Sequence, residues 1–480
     1  MKEPLGRREL LAIVLIACCF AAGASRALLG TPVQVSDALE TILRASRSST
    51  PAAAFTRSFA YSSQMLRPMG YAAANAVLLA AQSTGIRYRL AFRALHAALA
   101  CVLIALFTIA LRVRRGADLV VLPLALTMLV GMHSYAGMMR EAYPINHFLE
   151  IAVYALVVLV AAQSRGGVIA DVVAVAALAL GLLTLEAGAL IWVVAVSAWI
   201  AGWRGISRAA LVTSTGLLVA YVVWRVGYLH IAGAGVGDHS TGFGNTMLPA
   251  DEQIARFGAH PLGFFVYNAC SAIASVLLSE PRSGVWALIG IHRTPAGLAL
   301  PPPSIFIEIA ASAGATSVLV WAAARWRRGT LDDPQACARP LIVAAAVILA
   351  TGAISYAYNK DEIISTAGVF YVLAVAAALR EATIALAGSR GARRTLAMCA
   401  LAAVSVLWGW RAIGFEYKML RSATMARNEW ERVLPAQGEG RPALQPIDYP
   451  IASALKADAN ASPVVDYHLL PHWMERYWGE

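Results

Sequence analysis

The sequence predicts an all-α polytopic membrane protein: a bundle of about eleven transmembrane helices with a helical first external loop. Three observations predict it. The 480 residues are 59% hydrophobic and only 14% charged, whereas soluble domains are about one-quarter charged. Apolar runs recur from residue 9 to residue 413, several of them long enough for a bilayer core, which takes roughly 20 helical residues. Short basic knots separate these runs, as in loops on the cytoplasmic side of a membrane.

Those knots also explain the charge. Lys and Arg number 39 against 28 Asp and Glu, a net +11, but they form no stripe interleaved with aromatics. The expected partner is therefore membrane lipid, with no nucleic acid. Five of the six cysteines lie in apolar segments and Cys337 stands in a basic stretch. No CxxC or Cys/His spacing indicates a disulfide framework or a zinc site.

Taken in order, Lys2, Arg7 and Arg8 precede the first run, Leu10–Leu29, which reads as an uncleaved signal anchor with a cytoplasmic N-terminus. The apolar stretch Pro68–Ala81 would invert the positive-inside rule if it spanned. Residues 31–89 are accordingly one external loop with interfacial helices. Spans follow at about 90–111, 119–138, 148–163, 168–184, 187–203 and 209–229. Phe264–Leu278 is a hairpin or interfacial element within a second large external loop, 230–303. The last spans are about 304–325, 340–358, 366–388 and 395–413, which leaves 416–480 as an external tail beyond a membrane domain, 1–415. The count rises to twelve or thirteen if the two ambiguous segments span. The elaborated face is the external one, so function is expected there.

Asp37 follows the first span directly. An acid at that depth can act as a base on a substrate held at the interface; alternatively, Ser36/Asp37 caps a helix 38–47, with Glu40 in its first turn. Arg140-Glu141 opens the second external loop, where Glu141 orients an acceptor, shares a metal with Asp37, or only contacts headgroups. His147 begins the next span and is an acceptor-side candidate or a polar lid. Glu186 sits between two spans a tight turn apart, and a carboxylate there needs a partner. Arg67, Arg225 and Lys360 are the cations available to a departing phosphate, although Arg225 can equally snorkel to headgroups. His260, among the glycines of the 230–262 stretch, is a further loop candidate.

The order Asp37, Arg67-Pro68-Met69, then His96 entering the next span resembles the GT-C superfamily of integral membrane glycosyltransferases. The likeness is to the branch related to protein O-mannosyltransferases, with Met69 where that branch has Leu. Leu182-Leu-Thr-Leu-Glu186 and Asn359-Lys360-Asp361-Glu362 resemble two later elements of the same superfamily. The resemblance implies a GT-C-like bundle and transfer of a sugar from a polyprenyl-phosphate donor on the extracytoplasmic face. The acceptor class it implies is glycan, lipid or protein. It further implies Asp37, Glu141 and Glu186 as acids of the site and Arg67, Arg225 and Lys360 as phosphate or lipid contacts. The Ala/Arg-rich style points to a bacterial inner membrane. No cofactor is fixed by the sequence, a divalent cation being one option. A transporter or flippase of a lipid-linked saccharide, or a polysaccharide polymerase or ligase, is the competing reading.

Overall fold

The computed structural model describes residues 6–35, 37–61, 67–113, 118–140, 147–228, 261–278, 303–356, 361–388, 390–433, 446–462, 469 and 471–478. Among them there is helix and no strand. The first half comprises α1 (Arg7–Gly30), α2 (Asp37–Ser46), α3 (Pro51–Tyr61), α4 (Pro68–Thr84), α5 (Tyr88–Ala110), α6 (Asp118–Gly131), α7 (His133–Arg140), α8 (His147–Gln163), α9 (Val168–Thr184), α10 (Ala189–Ile200) and α11 (Arg208–Val222). The second half comprises α12 (Pro261–Leu278), α13 (Ser304–Arg327), α14 (Pro334–Ile354), α15 (Ser365–Ala387), α16 (Ala392–Val433), α17 (Tyr449–Asn460) and α18 (His472–Trp478).

Seven of these helices are long and apolar enough to cross a membrane: α1, α5, α11 with the turn that extends it, α13, α14, α15 and α16. An eighth span results if α6 and α7, bent by 58° at Met132, count as one. The apolar helices α8, α9, the segment Glu186–Ile200 and Phe265–Leu278 are shorter. The apolar surface that α1, α11 and α16 leave outside the bundle suits lipid. Helix α15 is the hub: nearly every residue from Ser365 to Leu379 is buried, against α6, α8, α13 and α14.

Two sequence expectations change. Phe264–Leu278 is no hairpin but part of a single helix, α12, packed against α13 and α14. Its polar residues explain why it enters the bundle, since Asn268 donates to the Tyr356 carbonyl at 3.0 Å and Ser275 meets His133 at 3.1 Å. The boundary at 415/416 lies inside a continuous helix, α16, of 42 residues. Hydropathy falls where a helix leaves lipid, whereas a helix ends only where its backbone does.

Away from the main core, α2 and α4 share a second one with the start of α5, the end of α16, and α17. Ile42, Leu78, Phe92, Trp430 and Leu455 meet there, so the first loop and the tail form one unit. An ion pair, Arg47–Asp448 at 2.7 Å, ties the same two parts together.

Candidate functional site

The link from α1 to α2 is clamped. Five consecutive carbonyls accept from side chains of distant helices: Leu29 from Arg89 at 2.5 Å, Gly30 from Ser462 at 2.6 Å, Thr31 from Arg93 at 2.9 Å, Pro32 also from Arg93, and Val33 from Trp430 at 2.6 Å. Gln34 donates to the Arg140 carbonyl at 3.0 Å. A stretch without helix or sheet must satisfy its backbone in this way when it is buried. The clamp fixes where α2 begins, which is Asp37 rather than residue 38. The side chain of Asp37 is outside the described part of the structure. His96 serves the clamp, its Nδ1 3.1 Å from Arg93, and does not approach the charges described next.

Helix α9 stops because Leu185 is extended (φ −159°, ψ 151°), and a 3-10 turn, Glu186–Gly188, then starts α10. Gly188 rests on the backbone of Gly181 and Leu182, a contact open only to a residue without a Cβ. Glu186 is thereby held in the gap between two apolar helices. Its Oε1 accepts from Arg225 Nη2 at 2.5 Å, and its Oε2 lies 3.9 Å from Arg67 Nη2.

Each arginine has its own mounting. Arg67 precedes Pro68, whose fixed ring geometry suits the first turn of α4. Gly70, one turn in, lies against the imidazole of His147. Arg225 sits in a π-helical turn, Val223–Tyr228, at the end of α11, a distortion frequent at functional sites. Its Nη1 donates to the Tyr221 hydroxyl at 2.8 Å. Trp224 in that turn packs on Phe59 of α3, ring centroids 5.6 Å apart.

The Glu186 side chain is 39% exposed, so solvent-side access to the carboxylate remains open. Burial pushes its carboxyl up, but the guanidinium groups of Arg67 and Arg225 outweigh burial and hold it below the usual carboxylate range. His147, buried beside Glu150 at 3.6 Å, lies within electrostatic reach of both Arg67 and Glu186. Among the described residues no three His, Cys, Asp or Glu side chains are grouped to hold a metal ion.

The structure thus brings together Arg67, His147, Glu186 and Arg225. Arg225, for which snorkelling is the alternative, is bonded to the Glu186 carboxylate. Glu40 stays apart on the exposed face of α2, paired with Arg44 one turn on. Glu141, His260 and Lys360 lie outside the described residues.

Sequence reasoning missed the clamp residues Arg93 and Trp430, and also a second polar centre. There Glu308 of α13 pairs with Lys418 of α16 at 3.1 Å, and Arg411 donates to Ser312 Oγ at 2.8 Å and to the Glu308 carbonyl at 3.2 Å. His133, just past the α6/α7 bend, lies 3.8 Å from Asp361. The only hint in the sequence is Arg411 itself, a charge inside an apolar run.

Fold and charges together define a helical integral membrane protein with a charged cluster, Arg67, Glu186 and Arg225, where α4 meets the ends of α9 and α11. No protein-family model, no curated protein and no solved structure matches the chain.

Proposed function

We propose that the protein is a membrane glycosyltransferase that moves a sugar from a polyprenyl-phosphate donor to an acceptor on the extracytoplasmic face. The observation that carries this reading is the convergence of Arg67 and Arg225 on the partly exposed Glu186 near the exposed apolar face of α11. A donor tail lying in the bilayer along α11 would deliver its phosphate to two guanidinium groups already oriented by one carboxylate. In the reaction the acceptor oxygen bonds to the anomeric carbon as the bond from that carbon to the phosphate oxygen breaks. Asp37 takes the acceptor proton, and the phosphate leaves with its charge held by the arginines.

With the bent pair and the shorter helices α8, α9 and α10 counted as spans, the bundle has eleven, in a GT-C-like arrangement. In this reading the basic loops face the cytoplasm, with the N-terminus inside and the C-terminus outside, and the membrane is a bacterial inner membrane.

One observation favours a transporter of a lipid-linked saccharide instead. The broken pair α6/α7 carries His133 to the buried charges Glu308 and Arg411, and discontinuous helices beside buried charge are transporter features. Purified protein in liposomes separates the two readings. Transfer of sugar from an added polyprenyl-phosphate donor, with no movement of that donor between leaflets, supports the enzyme; movement without transfer sinks it.

Arg67→Gln and Arg225→Gln each lose a charge-assisted contact to the phosphate. A contact of that kind contributes about 1.5–3 kcal/mol, so donor affinity is expected to fall roughly 10- to 100-fold in each variant. Unchanged binding in both variants, measured by donor-lipid titration in detergent, would remove the arginines from the site.

A further inference from the structure

One face of α16 changes its cover partway along. Residues 406, 410, 413 and 417 recur at i, i+4, i+7 and i+11 and so share that face. Val406 and Ile413 are exposed apolar side chains, as a lipid-facing stripe requires. Trp410 and Tyr417 are covered instead, by the short helix α18. Trp410 meets Trp473, Tyr477 and Trp478 at ring-centroid distances of 6.0, 5.5 and 5.4 Å, and Tyr417 meets Trp478 at 6.0 Å. Gly414 permits the approach, since a Cβ there would stand 2.5 Å from Trp478 Nε1.

The depth of this contact follows from α16. Its apolar run ends at Ile413, and Glu416 is exposed one turn on, so the membrane surface falls between them. Trp410 lies three residues before Ile413, about 4.5 Å of helical rise toward the membrane interior. Trp473, stacked on Trp410, is therefore level with the last lipid-facing turn and not out beyond it. Seven residues cannot hold a helix alone, so α18 exists through the use of its apolar face. The division of that helix is clean: His472, Glu475 and Arg476 are exposed at i, i+3 and i+4, and Trp473, Met474, Tyr477 and Trp478 take the other side. Trp478 is buried against α16, yet Trp473 stays 50% exposed, and Leu469 just before the helix is exposed as well. Half-open indole at this depth suits the membrane interface, where the ring lies among chains and its N–H among headgroups.

We infer that α18 is an interfacial anchor, with its aromatic face docked into the headgroup zone of the bilayer where α16 emerges. The partner is lipid and not a second protein, because the open ring continues a stripe of α16 that already faces lipid. The outer face of α18 carries both signs of charge, Glu475 and Arg476, and so selects no charged headgroup. The tail thus returns to the membrane surface instead of standing away from it. Tyr477 also lies within electrostatic reach of Glu308, so the same anchor covers the Glu308–Lys418 pair. The inference rests on α16 as a membrane span and on no catalytic activity.

The test is tryptophan fluorescence of the full chain in phosphatidylcholine vesicles whose acyl chains carry bromine either just below the headgroup or near the chain end. Bromine quenches an indole that it touches. Wild type is compared with Trp473→Phe, which keeps an aromatic ring on Trp410, and the difference isolates Trp473 among the twelve tryptophans. That difference signal is expected to be quenched strongly by the shallow bromine, weakly by the deep bromine and little by aqueous iodide. Quenching by iodide and by neither lipid would place α18 in water and overturn the anchor. Stronger quenching by the deep bromine would overturn it by placing the ring in the bilayer core, and a signal blind to all three quenchers would show protein, not lipid, over Trp473.

Discussion

Asp37→Asn slows sugar transfer by roughly 100-fold or more, the usual contribution of a positioned general base, while the protein keeps its fold. The two halves of that expectation have separate sources. Catalytic loss follows because an amide cannot accept the acceptor proton. Structural tolerance follows because Asp37 only opens α2, where the lost charge costs about 0.3–1 kcal/mol against the helix dipole. The position itself is secured elsewhere, by the arginine and tryptophan side chains that hold carbonyls 29–33. Turnover is measured with donor and acceptor in excess, and melting temperature in parallel. Near-normal turnover would end the role of Asp37 as base and leave it as a helix start.

Gly188→Ala gives a large structural effect for a single methyl group. A Cβ at 188 would collide with the Gly181 carbonyl and come 2.6 Å from Leu182 N. Backbone cannot rotate aside as a side chain can, so α9 and α10 must separate. Overpacking costs about 1–3 kcal/mol and occasionally more, which predicts a Tm lowered by roughly 2–12 °C at about 2–4 °C per kcal/mol. Because Glu186 lies two residues away, the Arg225 contact opens and donor binding falls along with stability. Gly216→Ala is the control. Nothing lies within 4 Å of a Cβ there, and α11 should gain slightly from the substitution. A Gly188→Ala protein that melts with the wild type would show that the α9–α10 contact is looser than described.

How much was legible beforehand depends on how local the cause is. Apolar runs announce helices because hydropathy is a property of adjacent residues: seven of the expected spans fall on helices long and apolar enough to cross a membrane, one falls on the bent pair α6/α7 and three on shorter apolar helices. The bend at Met132 is not announced, since no proline or glycine pair marks it more than other places, and packing of α7 against α15 imposes it. For the same reason the extent of α16 past residue 413 was missed. Glu186 was legible as an acid in need of a partner and Arg225 as a costly charge, but nothing local pairs them across 39 residues. Arg93 stands near the start of the expected span 90–111, a charge in an apolar run, but only the approach of residues 31 and 32 gives it a task. Glu308 and Lys418, 110 residues apart, were invisible for that reason too.

The shared core of the first loop and the tail has a consequence in time. Trp430 and Val33, joined by one hydrogen bond, are 397 residues apart. Synthesis at about 5–20 residues per second puts roughly 20–80 s between the appearance of the two. Throughout that interval Ile42 and Leu78 have no Trp430 or Leu455 to cover them. The nascent chain must therefore shelter that apolar face on the membrane surface or on a chaperone until the last helices arrive. A ribosome stalled before residue 430 leaves behind a chain whose spans are inserted but whose first loop cannot close, which is a mark that quality-control proteases can recognise.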